Sequence, residues 1–101
     1  MATPTKVAKT SDIPLNCGRV FVAAGKELAV FNLAGVFHAL ANTCLHRGGP
    51  LGEGALEGSV VTCPWHGWRY DVTTGRVLHQ PERGVACYEV RVEGEDLFVA
   101  L

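Results

Sequence analysis

The chain has 101 residues, of which 48% are hydrophobic and 19% charged, and its formal net charge is −1. Such a composition predicts one folded domain with a modest core, and it lacks the basic surplus that nucleic acid or an anionic membrane would call for. No window approaches the roughly 20 apolar residues that span a bilayer. The start, "MATPTKVAKTSDI", has no apolar core or cleavage pattern of a secretory leader. These features predict a soluble, cytoplasmic monomer.

Apolar runs bounded by Gly, Asn, Asp or Pro recur along the chain, the pattern of an all-β sandwich or barrel. "RVFVA" at 19–23 predicts a strand that turns at Ala24-Gly25 into a second, "ELAVF" at 27–31. "NLAG" at 32–35 predicts a hairpin turn ending on Gly, and "VFHAL" at 36–40 the third strand. "SVVT" at 59–62 is a short strand that runs straight into Cys63, and "WRYDV" at 68–72 meets a turn at "TTG", 73–75. "CYEVRV" at 87–92 alternates Tyr88, Val90 and Val92 with Glu89 and Arg91, so it predicts one half-buried strand. "EGED" then turns the chain into a closing strand, "LFVAL", at 97–101. No stretch of ten or more residues has a helical period. The organisation reads as a single domain over 1–101, a β base with a turn-rich insertion over about 42–81.

That insertion holds two compact packets of metal-ligand type, Cys44 with His46 and Cys63 with His66. Cys17 and Cys87 stand alone in strand-like segments and are predicted to be buried core thiols. His38 reads as a surface or boundary histidine of its strand, and His79 as a loop residue that would reach the metal site only through that loop. The half of the chain beyond residue 42 carries five arginines against eight acids, a mild acidic bias that ordinary solvated surface accounts for, though it would also suit a basic partner.

Two Cys and two His form a valid tetrahedral zinc set. Small zinc folds usually pair the two cysteines on one knuckle and place the histidines on a helix, whereas each packet here mixes the two types. A [2Fe–2S] cluster needs two protein ligands per iron, and two loops each giving one Cys and one His can supply them from opposite sides. With two thiolates the oxidised centre is neutral; with four it is a dianion. The neutral centre accepts an electron more readily, at roughly −150 to +300 mV against about −400 mV for all-Cys plant-type clusters.

C-x-H, sixteen intervening residues, then C-x-x-H resembles the Rieske signature, and the flanks "CLHRGGPL" at 44–51 and "CPWHGWRYDVTTG" at 63–75 strengthen the likeness. The chain looks like the small Rieske ferredoxins that serve bacterial aromatic-ring dioxygenases. That resemblance implies a base of antiparallel strands carrying a small cluster-binding subdomain built from loops. It implies that Cys44 and Cys63 hold the buried iron of a [2Fe–2S] cluster, and that His46 and His66 hold the outer, solvent-facing one. A third, proline-bearing loop covers the cluster in that family, and "HQPERG" at 79–84 falls there, with Pro81 as its proline. Gly48, Gly49, Gly52, Gly54 and Gly67 are expected to let backbone N–H groups approach sulfur, with Leu45, Pro64 and Trp65 limiting water access.

High-potential Rieske proteins carry a further Cys in each loop, joined as a disulfide. The matching positions here are Gly49 and Trp65, and Trp68 stands where those proteins place a Ser that bonds a cluster sulfide. Fewer hydrogen bonds to sulfur predict a potential near the low end of the range. The function implied is one-electron carriage from a flavin-dependent ferredoxin reductase to a terminal oxygenase, without catalysis by this chain. A spare two-His-one-carboxylate set and a second iron domain are not expected in it. The same frame would also suit the small subunit of a nitrite reductase or a diiron monooxygenase system. A structural zinc module is the reading from a different class.

Overall fold

The continuous apolar run Leu28-Ala29-Val30-Phe31 organises the whole architecture. All four side chains are fully buried within the strand Lys26–Leu33. Because successive residues of a strand point to opposite faces, Leu28 and Val30 enter one core while Ala29 and Phe31 enter another. A strand buried on both faces reads as a run rather than an alternation.

The computed structural model describes residues 4–43, 49–65 and 67–101. In chain order the strands are β1 (Pro4–Lys9), β2 (Cys17–Ala23), β3 (Lys26–Leu33), β4 (Val36–Ala41), β5 (Ala55–Glu57), β6 (Val60–Thr62), β7 (Arg69–Asp71), β8 (Arg76–Val77), β9 (Gln80–Gly84), β10 (Cys87–Tyr88), β11 (Val90–Glu93) and β12 (Asp96–Ala100). Every strand pairing is antiparallel. They form a four-stranded sheet ordered β10-β4-β3-β2, a three-stranded sheet β1-β12-β11 and a five-stranded sheet β5-β6-β7-β8-β9. The four-stranded sheet is shared by both cores. One face packs Leu28, Val30 and Ala39 against Ile13, Leu97 and Val99. The other packs Phe31 and Leu40 against Leu51, Val61, Cys63, Tyr70, Val72 and Val77, so the sulfur of one packet lies inside a hydrophobic core. Burying a side chain the size of Phe31 or Leu51 contributes about 1.5–3 kcal/mol.

The all-β reading holds, and among the described residues no helix is long and apolar enough to cross a membrane. Two hairpins turn on Ala-Gly pairs with positive φ at both residues: 51° and 75° at Ala24-Gly25, 52° and 95° at Ala34-Gly35. Positive φ at both central residues is the two-residue turn whose twist matches the flanking strands. Several details differ from expectation. The turn predicted over 32–35 is only Ala34-Gly35, because Asn32 and Leu33 still pair with Phe37 and Val36. Buried Asn32 then accepts the Gly35 N–H at 2.8 Å and donates to the Ile13 carbonyl at 2.9 Å.

The single strand expected at 87–92 is two. Cys87 and Tyr88 pair with β4, whereas Val90 to Glu93 pair with β12, so the chain changes sheets at Glu89; Tyr88 and Val90 are half-buried as expected, but Val92 is 46% exposed. The stretch 79–84, expected as a loop, is largely strand β9, at the edge of the five-stranded sheet. Its Pro81, Glu82 and Arg83 keep that edge from pairing further. Strands β1 and β5 had no sequence signal: β1 is the polar segment "PTKVAK" and β5 has three residues.

Candidate metal centre

The second packet lies on a loop that continues the β6–β7 hairpin. Thr62 pairs with Arg69 at its neck. Inside that neck the Cys63 N–H donates to the Trp68 carbonyl at 2.7 Å, and the Gly67 N–H donates to the Cys63 carbonyl at 3.1 Å. Gly67 has φ +75°, a conformation that glycine adopts without strain, so the tight return is encoded in the sequence. Its N–H serves the loop's own closure rather than pointing free. Cys63 is 2% exposed, while Pro64 and Trp65 lie on the surface, Trp65 at 57% exposure. Trp65 therefore shields less than expected as a water barrier.

The first packet's loop leaves β4 and returns into a 3₁₀ turn at Leu51–Glu53. Its neck is an antiparallel bridge between Thr43 and Pro50. The buried side chain of Asn42 fastens it: Oδ1 accepts the Gly52 N–H at 2.8 Å, and Nδ2 reaches Glu27 Oε1 at 3.4 Å. The Asn42 carbonyl accepts the Leu51 N–H at 2.8 Å. Cys44, Leu45, His46 and Gly48 of this packet, and His66 of the second, lie outside the described residues.

The two loops meet at one sulfur. A Cβ placed on buried Gly49 would stand 2.7 Å from Cys63 Sγ and 3.1 Å from Trp65 Cγ. Only a residue without a side chain lets the first loop come this close to the thiol of the second. A nearly buried thiol at the junction of two loops, in a dry core, with a cradle that one methyl group would fill, fits a soft-metal thiolate ligand. It does not fit an exposed reactive cysteine.

Gly52 and Gly54 have another explanation. Their Cβ positions fall on the Arg19 backbone (3.0 Å from its carbonyl oxygen) and on the Thr62 carbonyl, and their N–H groups go to Asn42 Oδ1 and the Leu51 carbonyl. They serve packing, so the expected approach of their N–H groups to sulfur is withdrawn. Pro81 is exposed on β9, and its carbonyl accepts Arg76 Nη1 at 2.7 Å. Neither outlying cysteine is a core thiol. Cys17 is half-buried and Cys87 exposed, its sulfur 3.9 Å from the Thr73 carbonyl, with partial burial pushing its thiol pKa up. His38 is half-buried on β4, as a boundary histidine should be.

Sequence reasoning missed three residues around these loops. Asn42 is one, and an amide-bearing residue at the foot of a ligand loop was the available cue. The others are His79 and Arg83, which flank the Trp68 ring. The His79 ring meets it edge-on at 4.8 Å, and the Arg83 guanidinium lies 5.6 Å from its centroid.

Three antiparallel sheets, with two loops meeting at a buried cysteine, are the frame of a defined class. The chain belongs to the Rieske [2Fe–2S] domain family, whose pattern matches residues 3–89, and the group it carries is a Rieske [2Fe–2S] cluster. The naphthalene 1,2-dioxygenase system ferredoxin component of Pseudomonas aeruginosa is 38% identical over 78 residues, 76% of this chain and 75% of that one. The ferredoxin of carbazole 1,9a-dioxygenase from Nocardioides aromaticivorans IC177 superposes with a TM-score of 0.88 over 98% of both chains, at 30% identity. A structure of reduced oxygenase with oxidised ferredoxin in carbazole 1,9a-dioxygenase matches over 99% of this chain and 94% of its own, with a TM-score of 0.87 and 32% identity.

Proposed function

We propose that this protein is a one-electron carrier, the ferredoxin of a multicomponent aromatic-ring dioxygenase, in which Cys44 and Cys63 bind one iron and His46 and His66 the other. When bound, a [2Fe–2S] cluster with this donor set accepts and releases a single electron, at a higher potential than an all-Cys cluster. The observation that carries the reading is the Cys63 sulfur, buried where the two loops meet and touched by Gly49.

The chain's own residues supply the rest. Leu51, Val61 and Tyr70 pack around Cys63 and keep water from its sulfur, lowering the local dielectric. Backbone bonds at 63–68 hold the thiol in place, so little rearrangement is needed when charge changes nearby. Pro64 and Trp65 put apolar surface beside the second loop, suited to the small interfaces of transient electron-transfer partners. Those partners are a flavin-dependent ferredoxin reductase and a terminal oxygenase, and the similar structure of an oxygenase with a ferredoxin supports the second. The chain carries the electron and leaves catalysis to the oxygenase. With Gly49 and Trp65 in place of a cysteine pair, its potential lies near the low end of the Rieske range. The cluster-binding part spans about 42–81 of a single domain, and the protein acts as a cytoplasmic monomer.

Reconstituted protein should hold two irons and two acid-labile sulfides per chain. It should also support turnover of an aromatic-ring dioxygenase when a flavin reductase reduces it. A colourless protein with one zinc and no sulfide would end this reading. Changing His46 or His66 to Cys should drive the potential down, and an unchanged potential would contradict the ligand assignment.

A further inference from the structure

The Trp68 ring is held from two sides by residues of a different part of the sheet. His79, just before β9, meets the ring edge-on at 4.8 Å and 87°, within the range of favourable aromatic pairs. Arg83, on β9, places its guanidinium 5.6 Å from the ring centroid, inside cation–π range. Its Nη1 is tied to Gln80 Oε1 at 3.2 Å, which restricts where the guanidinium can go. Trp68 is partly buried against the core that contains Cys63, and its carbonyl accepts the Cys63 N–H at 2.7 Å. A continuous chain of contacts therefore runs from an exposed cation on the sheet edge, through one indole, to the backbone of a buried thiol.

We propose that Arg83, assisted by His79, is a positioning residue for the metal centre: by clamping the Trp68 ring it fixes the Cys63 loop, and so sets the potential of the cluster bound there. The inference rests on the cluster assignment above. Its physical basis is that Trp68 belongs to two structures at once. Its ring answers to β9, its carbonyl to Cys63. Releasing the ring lets the 63–68 loop loosen, which weakens the N–H bond at the ligand residue and admits water near sulfur.

The test uses the cluster-loaded protein with Arg83→Gln and Arg83→Lys. Arg83 is exposed, and both variants are expected to fold with full iron content. Two quantities are read: the midpoint potential, and hydrogen exchange of the backbone in a peptide spanning Cys63. Arg83→Gln should shift the potential and speed exchange of that peptide, with exchange in β3 unchanged. Arg83→Lys, which keeps a cation but loses the planar fork, should recover part of both effects. Parental values for both quantities in Arg83→Gln would overturn the proposal. So would a shifted potential with unchanged exchange, since the charge would then act through space and not through Trp68. A parental protein without two irons and two sulfides would refute the cluster assignment instead, while the exchange measurement would still report on the clamp.

Discussion

The two loops that carry the Cys-His pairs are closed differently. The second, between Cys63 and Trp68, is closed by main-chain bonds that extend the β6–β7 ladder. Among the described residues the first returns through the Thr43–Pro50 bridge and a main-chain bond from the Leu51 N–H to the Asn42 carbonyl, and the buried amide of Asn42 adds a side-chain tie to Gly52. A loop closed by backbone can vary the side chains at its tip. A loop that adds a buried side-chain tie depends on that residue as well, and among the described residues Gly49 is where the first loop approaches the Cys63 sulfur.

The junction is the place to break both loops at once. Gly49→Ala puts a methyl group 2.7 Å from Cys63 Sγ, and the sulfur, 2% exposed, must shift by a few tenths of an ångström. The Trp65 ring, half in solvent, can yield; the thiol cannot move and keep its ligand position. Most of the iron and sulfide should be lost, as measured per chain after reconstitution. Full occupancy would mean that the two loops are not pressed together at this point.

Asn42→Ala tests the side-chain closure. It leaves the Gly52 N–H, bonded at 2.8 Å to Oδ1, without its buried partner, at a cost of about 1–3 kcal/mol. The thermal midpoint of the cluster-loaded protein should fall accordingly. Gly67→Ala tests the backbone closure through conformation alone. At φ +75° no described neighbour lies within 4 Å of a Cβ, and the left-handed region costs about 1–2 kcal/mol. Gly67→Asn should recover part of it, because Asn tolerates that region better than Ala. Equal losses for Ala and Asn would point to a steric role instead.

Much of this contrast was legible in the sequence, and the reasons differ by element. "ELAVF" announced a strand because a run buried on both faces has only one reading at that length. The paired Cys and His residues marked the two loops before any geometry was known, since few chemistries need those donors at that spacing. Asn42 was invisible as a fastener, because its role depends on Gly52 arriving ten residues later. The grip of His79 and Arg83 on Trp68 was equally hidden, since β9 reaches that ring only through the bulged pairing with β8. Cys87 misled for a different reason: a free cysteine is usually buried, yet the alternation in "CYEVRV" puts it on the face of Glu89 and Arg91, and it stays exposed.

Pro64→Ala gives the smallest effect and the sharpest check on the contrast. Pro64 follows Cys63 directly, but it is exposed and contributes no N–H to the loop. The bonds from Cys63 to Trp68 and from Gly67 to Cys63 do not involve it. Replacing it chiefly returns freedom to the unfolded chain, at about 0.4–1 kcal/mol, with the closure itself intact. The midpoint potential should stay at the parental value, and the thermal midpoint should drop by less than in Asn42→Ala. A fall as large as that of Asn42→Ala would place the second loop's closure in its side chains, and the difference between the loops would disappear.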